Sequence, residues 1–371
     1  FFTDSLVALF HLTGLDVHIS TFNLILPVGI SFYTFQTLSY SIDIYRKKLT
    51  PERDLIAFLA FVSFFPQLVA GPIERAKNLL PQFRNLPKVG PKMVKSGLRL
   101  MLWGLVKKVV IADQLAPVVD RIFANHEQMG SLSLVLGAVY FAIQIYCDFS
   151  GYSDIAIGVA RLLGFNLLRN FNFPYFSKGI PEFWRRWHIS LSTWFRDYVY
   201  LPLGGNSGSR WIHFRNILIT FSVSGLWHGA NWTFVIWGLL NGLYFIPKIF
   251  FPSAGLGMRA KQVLKPLTIP AIFALTCFTW IFFRAENLDV ALSYLHGVLS
   301  FNIDVPSLSH LLKLPLVIFL FGAEYLAQNL KRPYRVFQNI PFPIRWAVYV
   351  AGCLVVSRFM MVDKAFIYFQ F

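Results

Sequence analysis

SLSLVLGAVYFAIQIYCDFSGYSDIAIGVARLL, from Ser131 to Leu163, is apolar over more than the roughly 20 residues that a helix needs to cross a bilayer core. Its middle is unusual for such a helix. Gln144 and Asp148 stand at i and i+4 and share a face, and Asp154 follows past Gly151. Carboxylates placed this deep must face protein, water or a cation, because a charge left in hydrocarbon is costly. The reading adopted for Asp148 and Asp154 is structural: a polar clamp between helices, with Gly151 and the neighbouring serines allowing close approach.

The rest of the chain fits a membrane setting. Of its 371 residues 56% are hydrophobic and 14% charged, with a mean hydropathy of +0.54, above the roughly 45–50% apolar share of ordinary soluble domains. A formal charge of +16 would suit nucleic acid if the basic residues gathered on one soluble module. They instead flank apolar spans, as at Arg46-Lys47-Lys48, Lys261 to Lys265 and Lys331-Arg332, which is the pattern expected beside anionic lipid headgroups. Membrane lipid is therefore the expected partner of the basic residues, and nucleic acid is not. Cys147, Cys277 and Cys353 lie far apart in apolar runs and read as small buried hydrophobes, with no metal expected. The chain opens at Phe1 without a charged leader and cleavage site, so no signal peptide is read and the native N-terminus is expected to lie upstream of it.

The pattern predicts an all-α polytopic bundle forming one membrane domain over residues 1–371, with its reactive core at 131–246. Spans are expected at about 23–44, 266–283, 311–326 and 344–361, with a shorter, tilted or re-entrant one at 55–71. Residues 78–91 read as an interfacial loop. Residues 93–119 are helical but interrupted by Lys107-Lys108 and Asp113, which suits snorkelling at an interface as well as spanning.

Two histidine stretches carry the chemistry. PEFWRRWHISLSTWFRDYVYLPLGG starts at Pro181, a residue suited to a first helical turn. Along it Phe183, Trp187, Leu191, Trp194 and Tyr198 make an apolar stripe, and Arg186, Ser190, Thr193 and Asp197 a polar one, with His188, Ser192 and Arg196 beside it. This amphipathic helix fits either the bilayer interface or the wall of a polar cavity. FSVSGLWHGANWTFVIWG, from Phe221, lies in an apolar run from Asn216 to Phe245. If that run is one helix, Ser224 and Asn231 share a face with His228, and Gly225 and Gly229 leave room beside the ring.

Taken in order, DFSGYSDIAIG, FWRRWHISLSTWFRDYVYLPLGG and SGLWHGANWTFVIWG resemble the membrane-bound O-acyltransferase (MBOAT) family, in its bacterial branch that acetylates alginate, cellulose and peptidoglycan. The resemblance runs from Leu26 to the C-terminal FIYFQF. It implies a helical bundle around a tunnel, with His228 at the family's catalytic histidine and His188 at its second characteristic position. Arg185, Arg186, Trp187, Arg196, Asp197, Ser224, Trp227 and Asn231 are expected to shape the substrate and donor cavity. Asn241 stands where many relatives carry a histidine, which removes any third-histidine role.

The resemblance further implies acetyl transfer from a cytoplasmic thioester, acetyl-CoA, toward hydroxyls of an exported alginate-like polysaccharide. It implies a bacterial inner-membrane location, with a periplasmic esterase-like acetyltransferase and the polysaccharide export machinery as partners. An alcohol needs a positioned base as it attacks, and burial favours the neutral imidazole that can serve as one. His188 and the indole N–H groups of Trp187 and Trp227 are the candidate oxyanion donors. D-alanyl or acetyl transfer to a cell-wall polymer is the neighbouring alternative. A transporter whose Asp148, Asp154, His188 and His228 form an ion path, or a scaffold, stands outside enzymology.

Overall fold

The computed structural model describes residues 29–68, 71–85, 88–251, 258–329 and 340–360. These are helical throughout their ordered elements, with no strand among them. Five described helices are long and apolar enough to cross a membrane: Ser131–Leu162, Trp232–Phe250, Pro266–Arg284, Leu308–Asn329 and Phe342–Phe359. The chain is a multi-pass helical membrane protein.

In chain order the helices used below are α1 (Ile30–Tyr45), α2 (Leu55–Val62), α3 (Ala76–Arg84), α4 (Pro91–Leu105), α5 (Asp113–Ala124), α6 (Ser131–Leu162), α7 (Ile180–Arg186), α8 (Ile189–Phe195), α9 (Arg210–His228), α10 (Trp232–Leu243), α11 (Met258–Arg284), α12 (Leu288–Leu299), α13 (Leu314–Asn329) and α14 (Phe342–Phe359). α6 is the axis, with 78% of its apolar window buried inside the protein against 6% for α14 at the periphery. Asp304, in the segment after α12, caps the axis in trans, its Oδ1 accepting the Leu132 and Ser133 N–H groups at 3.1 Å. Burial opposes that charge, but the Ser133 hydroxyl and these N–H donors outweigh it and hold the carboxyl below the usual aspartate range.

α4 lies against α6 along a seam of glycines. A Cβ on Gly97 would meet the Gly158 carbonyl at 2.8 Å, and one on Gly104 the Gly151 carbonyl at 2.6 Å. Small residues let two backbones approach in lipid, where packing rather than water expulsion drives association. The chain then widens into a π-helical stretch, Val106–Ala112, which turns two lysines toward α6. Lys107 reaches Asp154 at 2.6 Å and donates to Ser150 at 2.9 Å, and Lys108 meets Asp148 at 2.5 Å and Asp113 at 2.9 Å. Snorkelling at an interface is thus overturned. The lysines point inward because the carboxylates of α6 and α5 neutralise them there. Asp148 and Asp154 sit in this ion-paired seam.

Several other expectations change. Residues 78–91 are not all loop, because α3 forms an amphipathic helix that buries Leu79 and Leu80. Of the first expected span, residues 23–28 lie outside the described residues, and α1 begins after Gly29, whose φ of 79° is left-handed. The run Asn216–Phe245 is two helices rather than one. α9 ends at His228 and α10 starts at Trp232, and the two pack antiparallel because Gly225 and Gly238 admit the Phe234 and Phe221 carbonyls where any Cβ would collide. Cys147 and Cys277 are buried, whereas Cys353 is exposed on α14.

Candidate active site

The stretch read as one amphipathic helix over 183–198 breaks at the first histidine. α7 ends at Arg186, Trp187 is extended, and His188 adopts φ 41° and ψ 55° before α8 begins. The break turns the expected apolar stripe into the protein interior: Phe183, Trp187, Leu191 and Trp194 are all buried in the main core. That decides between the two settings left open by the sequence, since these aromatics contact protein and the helices line a cavity.

The cavity has a volume of about 620 Å³ and is walled by α7, α8, α9 and the short helix Ile246–Phe250 that continues beyond α10. His188 and His228 both line it. On α9 the wall residues are His213, Ile217, Thr220, Phe221, Ser224 and His228, one face at helical spacing. At about 1.5 Å rise per residue, that face runs roughly 22 Å from one histidine to the other. The far end carries the Lys248 ammonium and the Tyr200 hydroxyl beside His213, with the Tyr200 and His213 rings 6.1 Å apart; Arg196 also lines the wall. The near end is aromatic. His228 is edge-on to Trp237 at 5.2 Å and to Phe283 at 5.0 Å, and His188 is edge-on to Phe149 at 4.5 Å.

This arrangement gives a long, narrow chamber with positive charge at one end and two imidazoles at the other. The Nε2 of His188 and the indole N–H groups of Trp184 and Trp237 are buried without a hydrogen-bond partner among the described residues. Buried polar atoms are normally satisfied, so the open atoms of His188 and Trp184, two residues that line the cavity, mark where a polar ligand atom would be received.

The expected cavity set divides. Arg185, Trp187, His188, Arg196, Ser224 and His228 form wall; Arg186, Asp197, Trp227 and Asn231 do not. Arg186 is turned back on α7, paired with Glu182 at 2.6 Å and donating to the Phe173 carbonyl at 3.4 Å. Asp197 faces the other way, between Arg196 at 2.8 Å and Arg75 at 3.4 Å. Trp227 packs on Phe35 at 5.1 Å. Asn231 is excluded by the end of α9: it caps α10 by accepting the Thr233 N–H at 3.1 Å and donates to the Glu286 carbonyl at 2.8 Å.

His213, Tyr200 and Lys248 were missed. The first lay within reach, because counting back from His228 in steps of four and three along α9 arrives at Ser224, Thr220, Ile217 and His213. Lys248 comes from the short helix Ile246–Phe250 beyond α10, and no spacing signals it. Trp184 carries no such signal, because it adjoins neither histidine in the sequence. Among the described residues no group of three or more histidine, cysteine or carboxylate side chains is placed to hold a metal ion.

The sequence matches known proteins over this same region. The model of the membrane-bound O-acyltransferase family covers residues 52–288. The chain is 45% identical over 303 residues to a probable alginate O-acetylase of Azotobacter vinelandii, covering 81% of this chain and 59% of that protein. It is 37% identical to a peptidoglycan O-acetyltransferase of Helicobacter pylori, over 84% of this chain and 63% of the relative. A teichoic acid D-alanyltransferase of Bacillus subtilis is 29% identical, over 71% and 70%. The chain therefore spans about three fifths of the alginate-type relatives. With the matched region running from α2 through both histidine stretches to the start of α12, the chain belongs to the membrane-bound O-acyltransferase family.

Proposed function

We propose that this protein is an O-acyltransferase that moves an acetyl group from acetyl-CoA toward hydroxyls of an exported, alginate-like polysaccharide. The observation that carries the reading is the shape of the cavity. A donor with phosphates at one end and a thioester at the other matches a chamber with Lys248 and His213 at one end, Arg196 on its wall, and His188 and His228 at the other end.

In this reading His228 is the general base. It takes the proton of the attacking hydroxyl as the oxygen adds to the thioester carbonyl, and the tetrahedral intermediate collapses with cleavage of the C–S bond. The imidazolium returns the proton to the departing thiolate. His188 or Trp184 donates to the oxyanion. Final placement on the polymer falls to a periplasmic esterase-like partner working with the export machinery, and the protein resides in the bacterial inner membrane. The names of the alginate-type relatives support this cargo, and the D-alanyltransferase relative supports a second reading in which the acyl group is D-alanyl and the acceptor a cell-wall polymer.

The test uses inverted membrane vesicles supplied with acetyl-CoA labelled in the acetyl group. Label entering alkali-labile ester, dependent on the full chain, supports the proposal. Absence of transfer with acetyl-CoA, together with transfer from a D-alanyl carrier, moves the assignment to the second reading.

A further inference from the structure

The break at Trp187-His188 is held by a short segment with no role so far, Arg169–Phe173, RNFNF. Two backbone hydrogen bonds bracket the break: the Asn172 N–H donates to the Arg186 carbonyl at 2.9 Å, and the Ile189 N–H donates to the Asn170 carbonyl at 2.8 Å. Between them the Phe171 ring lies nearly parallel to His188, at 12° and 6.2 Å, and edge-on to Trp187 at 5.1 Å.

Asn170 adds a second tie through its side chain. Its Oδ1 accepts the Ser190 hydroxyl at 2.9 Å and the Ser190 N–H at 3.3 Å, while its Nδ2 donates to Ser153 on α6 at 3.2 Å. The Ser190 oxygen in turn accepts the Ile73 N–H at 2.9 Å. Asn170, Ser153 and Ser190 are each 1% exposed, and none of the three lines the cavity.

The need for such a clamp lies in the backbone. His188 is left-handed at φ 41°, a conformation that non-glycine residues adopt at an energetic penalty and keep only where the surroundings over-determine it. The carboxamide of Asn170 can at once accept from Ser190 and donate to Ser153, which an alanine methyl cannot.

We infer that Asn170 is the positioning residue of this site: it locks the backbone on the C-terminal side of His188 and so aims the imidazole into the cavity, without itself touching substrate. The inference rests on His188 serving the transfer reaction proposed above.

The experiment compares wild type, His188→Ala, Asn170→Ala and the double variant of the full chain, in inverted vesicles given labelled acetyl-CoA, at equal membrane level. Asn170→Ala is expected to lower kcat on the order of 10- to 100-fold, the penalty of a misplacement of about 1 Å. The acetyl-CoA KM should stay within about twofold, and the substitution should add no further loss in the His188→Ala background. Ser190→Ala, which removes only the hydroxyl, should lose several-fold and guards against a folding failure of Asn170→Ala. Wild-type kcat in Asn170→Ala, a rise in KM in place of the fall in kcat, or an equal further loss in the His188→Ala background overturns the inference. Where His188→Ala leaves no measurable rate, the split between kcat and KM decides. Full activity of His188→Ala instead refutes the role of His188 in the reaction, and is read independently of Asn170.

Discussion

Replacing Lys107 by methionine removes the charge from the seam between the π-helical stretch and α6 while keeping most of the side-chain volume. The ammonium, on a side chain 4% exposed, is 2.6 Å from Asp154, whose side chain is 20% exposed. Stranding one member of a buried pair typically costs about 3–5 kcal/mol. Partial access of water to Asp154 places this case at the lower end, about 3 kcal/mol, of which about 1 kcal/mol belongs to the lost hydrogen bond to Ser150. Changing both partners, Lys107→Met with Asp154→Leu, strands nothing and is expected within about 1 kcal/mol of wild type. The assay is unfolding of detergent-solubilised protein by increasing SDS, followed by tryptophan fluorescence. A single variant as stable as wild type, or a double variant as unstable as the two singles summed, would refute the buried pairing and return Lys107 to an interfacial role.

Gly225→Ala forces a Cβ into the Phe234 backbone, and overpacking of this kind costs about 1–3 kcal/mol; loss of the monodisperse peak in size-exclusion chromatography in detergent checks it. Asp304 is held below the ordinary aspartate value in the folded protein, so its contribution is complete above the unfolded pKa of about 3.9 and disappears as pH falls through the folded value. Unfolding at pH 7 should therefore separate Asp304→Asn from wild type, and unfolding near the folded pKa and below should not. Lys248→Ala combined with Arg196→Ala removes two cations from the wall of the cavity; it should raise the acetyl-CoA KM on the order of tenfold and weaken its salt dependence, with kcat little changed.

Hydrophobic length alone exposed the axis and most peripheral spans, because a helix in lipid must satisfy its own backbone and cover itself with apolar side chains. What stayed hidden were breaks. Nothing in RRWHIS signals a left-handed residue, since histidine has no intrinsic need for one and the conformation is held from outside the segment by Asn170, through its bonds to Ile189 and Ser190. The turn at Gly229–Asn231 was concealed by apolar residues on both sides, and reading across it put Asn231 on a helix face that does not exist. Lys107 and Lys108 looked interfacial because a sequence cannot show that Asp154 and Asp148 stand opposite them. The two histidines could be singled out because imidazoles among tryptophans demand an explanation, whereas the residues of the far end, His213 and Lys248, look ordinary until α9 is folded against the short helix after α10.

The central claim is that the chemistry passes through His228. Its most direct test is the O-acetyl content of exported polymer in cells carrying His228→Ala, with the membrane level of the protein measured alongside. The account predicts loss of acetylation to background at a normal protein level. Retained acetylation at that level would contradict it.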